Sequence, residues 1–170
     1  RPYADVLRER ILEPLGLQAT DAAITNEGRL RLGVGYERLH DDRPARRTDP
    51  WVPAPWLETA TGDGAQTATI DDLAAFLRVL LNGGQGIVAP GSFELMTTPA
   101  TEADDGWWYG YGLELRGQEI RHGGSMPGFG ATILGDLDSG LGVAVAVNAI
   151  DERDLTEEVA AAILKLYRDG

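Results

Sequence analysis

Leu141, Val143, Val145 and Val147 alternate with Gly142, Ala144 and Ala146, so a strand across these residues is apolar on both faces. Such a strand cannot belong to a sheet with one face in water; helices have to cover it from both sides. Ala131 to Leu137 reads as its antiparallel neighbour, joined through the turn Asp138-Ser139-Gly140. Further upstream, Tyr109, Tyr111, Leu113 and Leu115 alternate with Gly110, Gly112 and Glu114, which predicts one strand over Trp107 to Leu115. Between these strands lies Arg121-His122-Gly123-Gly124-Ser125-Met126-Pro127-Gly128-Phe129, with one of the chain's two histidines. The glycines beside His122 leave room for another backbone or a ligand to come close to a strand.

Helical spacing elsewhere supplies the cover. Tyr3, Val6, Leu7 and Ile11 predict an N-terminal helix closed by Pro14 and Gly16. Thr69-Ile70-Asp71-Asp72 is a capping sequence, followed by Leu73, Phe76, Leu77, Leu80 and Leu81 and stopped by Asn82-Gly83-Gly84. Pro90 to Thr97 predicts a short helix with Phe93 and Met96 inward. Asp154-Leu155-Thr156-Glu157 caps a final helix on which Leu155, Val159, Ala162, Ile163 and Leu166 form the stripe expected to face the body. Leu30, Leu32, Val34 and Tyr36 predict a brief strand or hairpin. His40 to Gly64 is rich in Pro, Asp, Arg, Trp and Gly and reads as a long loop, with Trp51 and Trp56 packing it onto the body or walling a site. Segregated helices and a mostly antiparallel sheet define an α+β architecture.

A formal charge of -12 repels phosphate, which argues against nucleic acid or an anionic membrane surface as a partner. No apolar run reaches the roughly 20 residues needed to span a bilayer. With no cysteine and two histidines, neither thiol chemistry nor a zinc site has its ligands. Asp136-Leu137-Asp138-Ser139-Gly140 lacks the remaining ligands of an EF-hand loop, so no metal or other cofactor is expected. Gly124-Ser125-Met126-Pro127-Gly128 does not fit Gly-x-Ser-x-Gly, and Ser125 is not read as a nucleophile.

Five segments occur in one order: Glu13-Pro14-Leu15-Gly16-Leu17, Thr67 through Leu77, Tyr109-Gly110-Tyr111-Gly112-Leu113, His122-Gly123-Gly124 with Pro127-Gly128-Phe129, and Leu141 through Asn148. In that order the chain resembles the C-terminal half of the serine β-lactamase and penicillin-binding-protein-like hydrolases, in the class C-like branch that includes esterases and D-amino-acid peptidases. The resemblance implies a partial β-lactamase/DD-peptidase-like fold, an antiparallel β-sheet flanked by helices. Residues 1–170 would form the C-terminal portion of a single domain, with a helical and loop region over 17–105, strands and the last helix over 106–170, and the N-terminal portion absent.

That family works through Ser-x-x-Lys, Tyr-x-Asn and a third strand motif, Lys-Thr-Gly or His-x-Gly. Only the third has a counterpart here. Lys165 has Ala162 three residues before it, and Asn26, Asn82 and Asn148 have Ile24, Leu80 and Ala146 two residues before them. By resemblance, His122 would act beside the acid/base tyrosine, and the backbone N–H of Ser125 would donate to the oxyanion. Gly123 and Gly124 would line the substrate path; Trp107, Trp108 and Tyr109 either wall an acyl-group pocket or, as aromatic residues starting a strand more often do, pack the core. Gly123 replaces the hydroxyl residue of Lys-Thr-Gly, which favours ester or amide substrates over β-lactams. The implied parent is a serine hydrolase acting through an acyl-enzyme on a small ester or amide, and this chain alone is expected to be inactive. Its expected partner is the missing N-terminal half, or another copy of itself through an open sheet edge and an apolar face. The other reading is a noncatalytic binding or interaction module that keeps the same sheet.

Overall fold

The computed structural model describes residues 1–24, 27–38, 51–53, 62, 64, 66–150 and 155–168. His40, Trp56, most of the 40–64 loop and the cap residue Asp154 lie outside them. In chain order, α1 (Tyr3–Leu7), a π-helical turn (Arg8–Leu12) and α2 (Glu13–Leu15) lead through a 3₁₀ turn (Gly28–Leu30) to β1 (Tyr36–Arg38) and β2 (Trp51–Pro53). Helices α3 (Ile70–Leu81) and α4 (Pro90–Met96) follow. Then come β3 (Thr101–Glu102), β4 (Trp108–Tyr109), β5 (Glu114–Arg116), β6 (Glu119–Met126), β7 (Phe129–Asp136), β8 (Gly142–Val147), β9 (Ala149–Ile150) and α5 (Leu155–Arg168). Strands β3 to β8 form one antiparallel sheet in sequence order. A smaller sheet has the order β2-β1-β9, with β1 antiparallel to β2 and parallel to β9.

The large sheet is covered on both faces, as the apolar alternation of β8 demands. On one face Leu77 and Leu80 of α3 meet Leu113, Leu115, Ile120 and Ile133, with Phe93 and Met96 of α4 alongside. On the other, Ala160 and Leu164 of α5 meet Trp107 and Leu134, flanked by Leu141, Val143 and Val145. Helix α3 begins where its cap predicts: the Thr69 hydroxyl accepts from the Asp72 N–H at 3.3 Å. The Asp72 carboxylate in turn accepts from the Ala19 N–H at 2.9 Å and the Thr20 hydroxyl at 2.8 Å. These bonds anchor the segment that follows the N-terminal helical stretch; Leu12 of that stretch and Leu17 and Ala22 beyond it bury together, with Phe76 packed against them.

Helix α3 lies close to the sheet because two glycines face it. Gly135 of β7 and Gly142 of β8 are cross-strand partners. A Cβ on Gly135 would stand 2.7 Å from Leu81 Cδ2, and one on Gly142 would stand 2.8 Å from both Leu77 Cδ2 and Leu81 Cδ1. The pair forms a notch that receives the two leucines.

Three sequence expectations are corrected. Trp107 to Leu115 is not one strand but two strand ends joined by a turn, in which the Gly110 N–H donates to the Leu113 carbonyl at 2.8 Å and Gly112 takes a φ of 75°. Gly110 passes so near α4 that a Cβ there would lie 2.1 Å from the Met96 carbonyl oxygen. The N-terminal helical stretch closes at Gly16, φ 66°, as expected, but Pro14 lies inside it, in α2 after a π-helical turn, and does not help to close it. Finally, α5 is rotated from its expected face. Thr156, Ala160 and Leu164 are buried, whereas Leu155, Val159 and Leu166 are 47%, 37% and 73% exposed. Small residues at 156 and 160 let the helix approach β7 and β8 closely, and the bulkier stripe is left outside. Among the described residues no helix is long and apolar enough to cross a membrane.

Candidate functional site

Strand β6 carries the glycine-rich stretch, and its two edges differ. Along its whole length it pairs with β7, from Glu119 with Asp136 to Met126 with Phe129. On the other edge β5 pairs only with Glu119, Ile120 and Arg121. From His122 to Met126 no strand pairs with that edge among the described residues.

Hairpin geometry decides which backbone groups face the open edge. Pro127-Gly128 and Gly117-Gln118 are two-residue turns, with Gly128 at φ 77° and Gly117 at φ 61°. Residues flanking such a turn form a hydrogen-bonded pair, and the pairing alternates from there. His122, Gly124 and Met126 therefore spend their N–H and C=O groups on β7, and Arg121 spends its own on β5. Gly123 and Ser125 direct theirs to the open edge.

Side chains alternate between the two faces of the sheet. His122 and Gly124 share the face of Ile120 and Ile133, on the α3 side. Through the register Trp108–Leu115–Ile120, Trp108 lies on that same face. Tyr109 lies on the other, through Tyr109–Glu114–Arg121, together with Gly123 and Ser125. The structure thus places His122, Gly124 and Trp108 on one face of the sheet, Trp108 two strands away on β4 and level with Ile120, and puts Tyr109 on the other. Exposure at His122, Trp108 and Ser125 leaves all three open to a ligand.

Below Gly123, on the α5 side, stands a set of charged and polar groups that motif reading did not single out. Arg121 donates to Glu157 Oε2 at 2.6 Å and to Glu114, and its guanidinium lies 4.1 Å from the centre of the Trp107 ring. Arg116 lies 4.4 Å from the same ring. Thr132, the cross-strand partner of Gly123, shares a 2.8 Å hydrogen bond with Thr156 of α5. Arg121 was visible beside His122, whereas Glu157, 36 residues away, was visible only as part of the last helix's capping sequence and nothing local pointed to the pairing.

The turn at the end of β6 is braced from the small sheet. Asn148 Nδ2 donates to the Val34 carbonyl at 3.0 Å, and the Tyr36 N–H donates to the Asn148 carbonyl at 2.9 Å. Gly35 fits beneath: a Cβ there would lie 2.5 Å from Phe129 Cε2 and 2.9 Å from the Gly128 carbonyl. A separate polar groove of about 390 Å³, lined by Arg8, Glu13, Gln18, Thr20 and Asp21 among others, lies at the helical N-terminal stretch and includes no residue of β6. Among the described residues no group of three or more acidic or histidine side chains is placed to hold a metal ion.

Comparison with known proteins adds the following. The protein-family model described as Beta-lactamase matches residues 1–167. No curated protein sequence matched. A penicillin-binding protein homologue from Pyrococcus abyssi, described as octameric, superposes with a TM-score of 0.83 at 24% identity, over 98% of this chain and 38% of that one. A D-stereospecific amidohydrolase from Streptomyces sp. gives 0.66 at 26% identity, over 88% of this chain and 44% of that one. A D-amino acid amidase from Ochrobactrum anthropi SV3, solved with L-phenylalanine amide, gives 0.72 at 25% identity, over 99% and 52%. The chain spans between 38% and 52% of the length of these three structures.

Proposed function

This chain belongs to the beta-lactamase family, and from that membership we infer that it supplies the β-sheet side of a serine hydrolase site that works through an acyl-enzyme. The observation that carries the reading is the open edge of β6, where Gly123 and Ser125 turn main-chain groups outward beside an exposed His122. In the reaction, a serine hydroxyl adds to an ester or amide carbonyl, its proton passes to a base and then to the leaving alcohol or amine, and water later releases the acid. Negative charge gathers on the carbonyl oxygen in both addition steps. An N–H held at that oxygen, for which Ser125 is the candidate, lowers the barrier by about 3 kcal/mol. His122 would tune proton transfer from the exposed face of the same strand.

Neither Ser-x-x-Lys nor Tyr-x-Asn occurs in these residues, so the attacking serine would come from polypeptide outside them, seated against this edge. The amidohydrolase and the amidase at 25–26% identity favour small amides, D-amino acid amides among them, as substrates, with simple esters beside them. The same missing motifs favour a second reading, a binding module that retains the sheet without chemistry. Hydrolysis of p-nitrophenyl acetate and D-phenylalanine amide separates the two. Activity is expected when the chain is joined to a portion bearing Ser-x-x-Lys, and none from the 170 residues alone. Turnover by the chain alone that is lost in Ser125→Ala would overturn the assignment of the nucleophile to other polypeptide.

A further inference from the structure

The stretch of β6 that faces the open edge is the part of the strand least held by its own sheet. From His122 onward it is paired with a strand on one side only among the described residues, and it contains two consecutive glycines, which add no side-chain packing. Donors that stabilise a developing charge work only when they are held in place beforehand. The first turn of α5 supplies that restraint. Glu157 Oε2 accepts from Arg121, the last residue of β6 paired on both sides, at 2.6 Å. Glu157 Oε1 lies 3.3 Å from the point where a side chain on Gly123 would begin. Arg121 cannot swing away to meet it elsewhere, because Glu114 holds a second edge of the guanidinium and the Trp107 ring lies against its face. The neighbouring Thr156 fixes the same turn to Thr132, directly across from Gly123.

We propose that Glu157 is a positioning residue for the open edge of β6, its carboxylate filling the space left by residue 123 and holding the Gly123–Ser125 backbone through Arg121. The proposal rests on reading this edge as the acyl-transfer site. Gly123 is then needed for a reason beyond substrate access: a Cβ there would meet Thr132 Oγ1 at 2.9 Å and Glu157 Oε1 at 3.3 Å, pressing on both groups that tie the strand to α5.

Amide hydrogen exchange, followed by NMR on the 170-residue chain, tests it. Glu157→Gln keeps the shape and removes the charge; exchange at Gly124 and Met126 should quicken about tenfold, with the β7–β8 ladder unchanged. In an Arg121→Met background the same substitution should add nothing, because the two groups act as one unit. Unchanged exchange at Gly124, or an equal rise throughout the sheet, would overturn the proposal. In a chain joined to its nucleophile-bearing portion, Glu157→Gln should lower kcat about tenfold with KM little changed. Absence of hydrolysis by the unsubstituted joined protein would defeat the acyl-transfer reading instead, and the exchange result would still stand or fall on its own.

Discussion

Thr132 and Thr156 meet hydroxyl to hydroxyl at 2.8 Å in the seam between β7 and α5, where they are 2% and 7% exposed. One must donate and the other accept, so each is the other's means of burial. Thr156→Val would strand the Thr132 hydroxyl and should destabilise the fold by about 1–2 kcal/mol in urea titrations. The double variant Thr132→Val/Thr156→Val should cost less than the sum of the single ones, since it leaves neither group unpaired.

Gly123 faces the same seam. A Cβ there would stand 2.9 Å from Thr132 Oγ1, a buried atom that cannot retreat without losing Thr156. Gly123→Ala should therefore destabilise by about 1–3 kcal/mol, read as a lowered thermal midpoint. Thr132→Ala in the same chain should recover part of the loss caused by the clash.

Asp136 gives the acid side of the stability curve a specific component. Hydrogen bonds from the Ser139 hydroxyl and N–H, each at 2.7 Å, followed by the charge of Arg168, hold its carboxyl below the ordinary aspartate range. The stability it contributes is complete above about pH 4, the unfolded value, and is lost as pH falls through the lower folded value. Thermal melts from pH 7 down to pH 2 should show this loss, and Asp136→Asn should remove that part of the slope.

The outward stripe of α5 should make the chain self-associate. Leu155, Val159 and Leu166 form an apolar surface that no described element covers, and β8 ends the sheet with one edge unpaired among the described residues. Sedimentation velocity should show concentration-dependent association. Val159→Glu with Leu166→Glu should reduce it while shifting folding stability by no more than about 0.5 kcal/mol per site.

Helix α3 was legible in the sequence because a cap, an apolar spacing and a glycine stop all agree over Thr69 to Gly84. The β7–β8 hairpin was legible because its turn and its two-sided apolar pattern agree as well. Trp107 to Leu115 failed because a glycine-rich turn between two strand ends produces the same alternation as one continuous strand. On α5, residues 155, 159 and 166 and residues 156, 160 and 164 both follow helical spacing; only the closeness of the sheet decides between them. The site divides in the same way. His122-Gly123-Gly124 could be assigned to a strand from local pattern, whereas the contact from Glu157 exists only once α5 has been laid across β7 and β8.

The Gly135–Gly142 notch seats α3, and Leu77 and Leu81 enter it like the teeth of a key. Drift at these four positions is thereby coupled: either glycine can acquire a side chain only after the leucines opposite have shrunk, so ancestry should be readable there as paired changes.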